Sequence, residues 1–519
     1  MTLLTRRGFL ATSASAAIVT ACAPFARGRD PFALGVASGD PAPDGFVIWT
    51  RLAPNPLDPD PATPGGMEAR AVELTWQVAE DEAMTRIARE GIVVARPERA
   101  HAVHVEVEGL APDRRYFYRF FAGGAASPIG RTRTAPAPGA AVERLRLSFA
   151  SCSDWQQGYF GAYRHMAAEA PDLVVFLGDY IYEFLEKRWA PVRSHSDGVE
   201  AMDLRTYRNR YAQYRTDPDL QALHAAVPCL ATWDDHEVQN DYADRWSQDL
   251  ADPEAFLRRR AAAYRAYWEH MPLRNAARPN GPDATIYGFT DWGALARIWM
   301  LDQRQYRSRP PCYGRPRGGG QIVNAMSCPE YLDPASTMLG TAQEQWLGAT
   351  MRASRARWNL FGQGTLMAEL VQPDRSGASG YWTDAWSGHP AARDRFIAQL
   401  ADTRAANPIV MTGDIHSFWT NALKRDFRDV SAPAVGTEFV GTSITSPGVP
   451  YDEFAALARA MPHVRYFESR YRGYVSLDIA PALTRASYRA ISDVRDPQAT
   501  VSTVARFVVG DGKPGPVEA

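Results

Sequence analysis

The 519-residue chain has little surplus charge: 57 Lys and Arg against 59 Asp and Glu leave a formal net charge of -2. That balance argues against a broad basic surface of the kind that grips a nucleic-acid backbone. No apolar run is long enough to span a bilayer, and the longest candidate lies at the N-terminus. Five cysteines are too few for a disulfide framework. Cys312 and Cys328 flank a Gly/Pro-rich loop, Arg309 to Cys328, and can pair in an oxidising compartment. Cys229 falls inside an apolar strand, where a thiol serves as a small core residue. Internal repeats and low-complexity tracts are also missing. What remains is 45% apolar and 22% charged, an ordinary balance for a globular protein with two or three domains and a large core.

At the N-terminus, Thr5-Arg-Arg-Gly-Phe-Leu10 precedes a mildly apolar Ala/Ser-rich run from Ala11 to Ala21. Paired arginines before a short, weakly apolar segment read as a twin-arginine export signal over residues 1–28. That route carries folded proteins, so the expected partner during export is the twin-arginine translocation machinery. The expected location is the periplasm, the medium or the cell surface. Val19-Thr-Ala-Cys22 resembles a lipoprotein processing site that would leave a lipid on Cys22, while Ala21-Cys22-Ala23 equally suits ordinary cleavage. Both readings stand.

Residues 31–137 carry short strand-like runs: Gly45–Leu52, Val72–Val78, Ala102–Val107 and the tyrosine-rich stretch ending at Arg119. Their spacing predicts a small β-sandwich of fibronectin or immunoglobulin character, with a packing rather than a catalytic role. Thr134 to Ala141 reads as the linker. From 142 to 510, apolar strands alternate with helix-period segments at Gly161–Glu169, Asp203–Thr216, Ala251–Met271, Thr341–Ser354 and Ala391–Ala405. That alternation argues a layered α/β domain. Residues 511–519 read as a disordered polar tail.

Within the second domain four strands end in ligand chemistry. Leu173 to Leu177 is wholly apolar, as buried parallel strands are, and leads through Gly178 to Asp179 and Tyr182. Leu145–Ala150 leads to Cys152, Val227–Thr232 to Trp233-Asp-Asp-His-Glu237, and Ile409–Thr412 to Gly413-Asp-Ile-His416. Open α/β sheets place ligands at the carboxyl ends of their strands. Singly, each residue has a bland reading: Asp179 as a helix cap, Cys152 as an inert buried thiol, His416 or His236 as a core hydrogen-bond donor. Four such endings together are not explained that way, and they are expected to meet at one sheet rim.

The phenolate of Tyr182, with the Cys152 thiolate, Asp179 and His416, suits a hard trivalent ion such as Fe³⁺. Asp179, Asp235, Asn240 and Asp414 form a nearly all-oxygen set that selects Ca²⁺, Mg²⁺ or Mn²⁺ over zinc, with Asp179 bridging the two ions. Asn240 and Asp234 compete for one place in that set.

Ser151-Cys152-Ser153, Gly178-Asp-Tyr-Ile-Tyr-Glu183, Trp233-Asp-Asp-His-Glu237 with Asn240, and Gly413-Asp-Ile-His416 resemble the motifs of the PhoD-like alkaline phosphatase/phosphodiesterase family, within the calcineurin-like metallophosphatases. Leu301-Asp-Gln-Arg-Gln-Tyr-Arg307, Tyr381-Trp-Thr-Asp-Ala-Trp386, Arg393, Gly441–Pro447, Gly35–Asp40 and Trp49–Leu52 extend the likeness over nearly the whole mature chain. The resemblance implies a β-sandwich followed by two mixed sheets flanked by helices. It implies iron(III) held by Cys152, Asp179, Tyr182 and His416, and calcium held by Asp179, Asp235, Asn240 and Asp414. His236 matches the histidine that steers the phosphate or protonates the leaving group. Arg304 and Arg307 are candidates to neutralise phosphate, with pairing to Asp302 as the alternative. After Asp496 the chain offers only Val501–Val509 and a short polar tail, so a relative closed by a longer C-terminal helix would be less open.

The expected activity is therefore metal-dependent hydrolysis of phosphate monoesters and diesters by an exported, monomeric enzyme. A zinc or manganese nucleotidase and a non-catalytic, metal-stabilised binding protein are the rival readings. The Cys/Tyr pair and Asp414, where many superfamily members carry His, favour iron and calcium.

Overall fold

The structure, a computed structural model, describes residues 29–58, 60–186, 190–403 and 405–519. The export signal and Cys22 lie outside the described residues. Two large sheets pack face to face. The first has ten strands in the order Lys513–Glu518, Val501–Gly510, Leu483–Ile491, Arg472–Ile479, Leu145–Ala150, Leu173–Leu177, Cys229–Thr232, Val36–Ala42, Gly45–Arg51 and Ala102–Val107. The second has seven: Gly288–Trp292, Ala296–Met300, Trp358–Gly362, Pro408–Thr412, Ala434–Val440, Phe418–Lys424 and Val464–Glu468.

Alternation along the central strand shows how the layers are held. Leu173, Val175 and Leu177 join Leu360, Ile409 and Met411 of the second sheet in the inter-sheet core. Val174 and Phe176 point the other way, into a core shared with Tyr163, Tyr207, Tyr211 and Tyr267. Those tyrosines come from the helices Gly161–Glu169, Leu204–Arg215 and Pro253–His270. On the far side, Trp299, Phe361 and Val410 pack against Leu347, Met351, Phe396 and Leu400 of the helices Gly340–Ala353 and Pro390–Asp402. A strand buried on both faces must be apolar at every position, which is why these runs are continuous in sequence. The aromatic stripe at Tyr264, Tyr267 and Trp268 is core.

The N-terminal sandwich is present but not separate. Its second layer holds Ile87–Ala95, Val72–Ala79, Arg115–Ala122, Ala125–Ala126 and Gly130–Arg133. Its first layer, Val36–Ala42, Gly45–Arg51 and Ala102–Val107, continues the ten-stranded sheet, Gly39 lying opposite Cys229 in parallel register. The Val36–Ala42 strand escaped the sequence reading because Ser38-Gly-Asp-Pro41 carries turn residues. Arg274 fastens the junction, donating its backbone N–H to Asp40 (2.9 Å) and pairing with Glu106 (3.1 Å).

The expected disordered tail is a correction. Lys513–Glu518 pairs antiparallel with Val501–Gly510, with Val508 opposite Val517. Asp511 and Gly512 make the turn, Gly512 at φ 69°. Pro514 and Pro516 lack an N–H, which an edge strand tolerates. Cys312 and Cys328 form a disulfide across the long loop, as their flanking positions allowed.

Candidate metal centre

Leu145–Ala150, Leu173–Leu177 and Cys229–Thr232 run parallel, so their carboxyl ends open on the same side. Pro408–Thr412 belongs to the second sheet, so the expectation of one shared rim is corrected. The site lies where the rims of two stacked sheets meet. The rims are stitched by Ser151 bridging Ser443 and by Ile444 N–H donating to Ser151 O (3.0 Å). Period-2 patterning identifies a strand but not the sheet it joins.

The turns that carry the ligands are tight and left-handed. Cys152, Asp179, Asp414 and His416 all have positive φ, 62°, 51°, 64° and 53°. Non-glycine residues held there carry strain that the surrounding structure must impose, a pattern concentrated at functional sites. Gly178 allows the close approach of two of these turns: at φ 100°, a Cβ there would lie 2.4 Å from Asp234 Cβ. Gly413 does the same beside Ser151 Oγ, at 2.2 Å.

The predicted ligands converge. Cys152, Asp179 and His416 offer donor atoms within 4.8 Å of one another, as do Asp234, Asp235 and Asp414, and Asp179, Asp235 and His236. Tyr182 Oη joins the first group, 3.3 Å from Asp179 Oδ2 and 3.1 Å from His416 Nε2. His416 Nδ1 donates to the Pro447 carbonyl (3.0 Å), which can only accept, so the Nε2 lone pair faces the group. His236 Nδ1 donates to Glu183 Oε2 (2.7 Å), and the imidazole stacks on the Tyr182 ring at 4.0 Å between centroids. Among the described residues no hydrogen bond engages its Nε2. Asn240 donates its side-chain amide to Gln248 (2.9 Å) and its backbone N–H to Glu183 (2.8 Å).

Arg304 and Arg307 do not reach an open surface. Both are buried, and Arg304 holds Asp384 with two hydrogen bonds (2.7 and 2.8 Å) and Asp234 with a third. Arg307 donates to the same Asp384 carboxylate (2.6 Å) and to the Gln303 carbonyl. Asp302, the alternative partner, instead accepts from Trp233 and from the Arg304 backbone N–H. Sequence reasoning missed Asp241, which with Asp235 and Asp384 makes a further three-carboxylate group. It also assigned no role to Glu183 or Asp384, although both stand in the quoted motifs. Asp241 directly follows Asn240 and was the available signal.

Electrostatically the cluster is short of positive charge. Burial, then the Asp235 carboxylate, pushes Asp179 well above the usual carboxylate range. Burial, then Asp234 and Asp384, does the same to Asp414. Asp234 rises to about 6 through burial, opposed by Arg304. The Cys152 thiol and Tyr182 phenol are both raised by burial and by Asp179. Asp234 Oδ2 and Asp235 Oδ1 are buried and accept no hydrogen bond, the latter meeting only Arg304 Nη2 at 3.5 Å. Buried carboxylate oxygens without partners are costly unless an ion or water answers them. A mixed sulfur, phenol, imidazole and carboxylate set beside an all-carboxylate set therefore fits two unlike cations, the harder-oxygen site suiting calcium or magnesium.

Residues 17–136 match the PhoD-like phosphatase N-terminal domain and residues 147–488 the PhoD-like phosphatase family. Alkaline phosphatase D of Bacillus subtilis (strain 168) is 44% identical over 485 residues, covering 92% of this chain and 80% of that protein. A solved structure of PhoD superposes with a TM-score of 0.88 at 43% identity, over 95% of this chain and 92% of that one. With two-thirds of its length matched and its strand-end ligands gathered at one place, this chain belongs to the PhoD-like phosphatase family.

Proposed function

We propose that the protein is a metal-dependent phosphoric ester hydrolase, acting on phosphate monoesters and diesters outside the cytoplasm as a monomer exported by the twin-arginine route. The observation that carries this reading is the convergence of Cys152, Asp179, Tyr182 and His416 beside Asp234, Asp235 and Asp414, with two buried carboxylate oxygens that accept no hydrogen bond. Cys152, Asp179, Tyr182 and His416 would hold Fe³⁺, and Asp179, Asp235 and Asp414, with Asn240, would hold Ca²⁺. Ions bound there supply Lewis-acid charge that makes water nucleophilic near neutral pH and offsets charge on phosphoryl oxygens.

The chain's own residues do the positioning. Glu183 fixes the tautomer and plane of His236, and the Tyr182 ring prevents the imidazole from tilting. His236 Nε2 is thus left to meet a phosphoryl or leaving-group oxygen. Arg304 and Arg307 act as positioning residues rather than phosphate ligands: they hold Asp384 and Asp234, setting the spacing of the acids. Buried guanidinium forks suit that task.

The test is metal analysis of protein exported by its own host, combined with hydrolysis of p-nitrophenyl phosphate and bis(p-nitrophenyl) phosphate. Bound iron and calcium with turnover of both esters are expected. A metal-loaded protein that hydrolyses neither would overturn the reading.

A further inference from the structure

The long disulfide-tied loop is not idle packing. It forms one wall of a groove of about 740 Å³ lined by Cys312, Cys328, Arg315, Arg317, Arg375 and Trp382 among others. The charged lining is three arginines and one acid, Asp374. That acid is engaged by its own turn, accepting from Ser376 N–H (2.8 Å), Ala378 N–H (3.0 Å) and Asn324 (2.8 Å). Many of the described arginines hold a carboxylate, whereas the side chains of Arg315 and Arg375 make no ion pair or hydrogen bond among the described residues. Both are exposed and border the groove.

Two links join the groove to the carboxylate cluster, one by hydrogen bonds and one along the chain. Arg317 Nη2 and Gly320 N–H both donate to Asp241 Oδ2 at 2.8 Å, and Asp241 clusters with Asp235 and Asp384. On the opposite wall Trp382 stands two residues before Asp384. One side chain, that of Asp241, therefore touches both the arginine-lined groove and the carboxylate group of Asp235 and Asp384.

Resting on the phosphoesterase reading above, we propose that this groove is a subsite for a second phosphate group of the substrate, bound by Arg315 and Arg375 with Arg317 fixing the wall. The enzyme then favours esters that carry a further phosphate beyond the scissile one. Guanidinium groups match phosphate oxygens bidentately, and unpaired ones need give up no existing partner to do so. The Cys312–Cys328 bond keeps the loop that bears Arg315 and Arg317 in place.

The experiment uses the metal-loaded enzyme and two chromogenic substrates with the same leaving group, the p-nitrophenyl ester of thymidine 5′-phosphate with and without a 3′-phosphate. The wild-type kcat/KM is expected to be higher for the two-phosphate compound. The double variant Arg315→Ala/Arg375→Ala should lose about tenfold of kcat/KM on that compound, mainly through KM, and stay within about twofold on the other. Equal effects on both, or no effect, would overturn the subsite. Because the loop variant can misfold, Arg375→Ala alone, on a separate turn, provides the second reading with the same expected selectivity. Raising NaCl from about 50 mM to about 500 mM should increase KM for the two-phosphate compound more steeply. Identical salt dependence would also overturn it. Failure of the wild type to turn over either compound would instead sink the phosphoesterase reading, and the subsite with it.

Discussion

Buried acids at the sheet rims fall into two groups that behave in opposite ways. Glu237 accepts the backbone N–H groups of Asp179 (3.0 Å), Tyr180 (2.6 Å) and Asp234 (2.8 Å), tying together two ligand-bearing turns of the first sheet. Glu438 plays the matching part in the second sheet, accepting from Met367 and Ala368 N–H, Thr412 Oγ1 and Asn421 Nδ2 at 2.7–3.0 Å. Close by, Asp234 and Asp235 each keep a buried oxygen that accepts no hydrogen bond, and burial pushes Asp179 and Asp414 well above the usual carboxylate range, helped by Asp235 beside the first and by Asp234 and Asp384 beside the second. Burial is common to both groups. The difference is hydrogen-bond satisfaction, and it separates acids that hold the fold from acids proposed to bind a cation.

Breaking that contrast should have graded effects. Asp179→Asn removes the carboxylate common to both ligand groups. Metal content and turnover should fall together, kcat/KM by about a thousandfold or more, while the far-ultraviolet circular dichroism stays native. Full turnover by this variant would end the two-cation reading. Glu237→Ala attacks the fold instead. It orphans three buried N–H groups at a cost of about 3 kcal/mol or more, to be read as a lower denaturant midpoint even in metal-free protein. Glu438→Ala should show the same phenotype from the second sheet, at about 2–3 kcal/mol.

The most discriminating variant has the smallest effect. Asp414→Asn removes an ionisable acid from a crowded, cation-poor cluster in which burial already disfavours its charge. The metal-free variant should be as stable as the wild type, or more so by about 1 kcal/mol. It should also gain less melting temperature when calcium is added. A strong destabilisation of metal-free protein would place Asp414 with the structural acids.

The sequence disclosed the candidate ligands because each follows a strand-like run, wholly apolar at Leu173–Leu177, that stops at Gly, Ser or Trp before the polar residue. Cys152, Asp179, Asp235, Asp414 and His416 were legible on that ground. The work of Arg304 and Arg307 was not, since their acid partners Asp234 and Asp384 stand 70 and 80 residues away. Spacing along a chain does not report which buried cation meets which buried anion. Asp241 was overlooked because it follows no apolar strand, lying in the turn after His236. The Val36–Ala42 strand and the final hairpin were hidden by proline and glycine, which mark turns in most contexts but are tolerated where a strand lies at an edge or bends.

Because the Val36–Ala42 strand lies against Cys229–Thr232, hydrogen bonding passes from one half of the polypeptide to the other without a seam. Proteolytic nicking between residues 134 and 141 should therefore leave both pieces migrating together under native conditions. A shortened protein starting at residue 142 would present the flank of Cys229–Thr232 to solvent and invite self-association, so the amino-terminal layer serves as a built-in guard against aggregation.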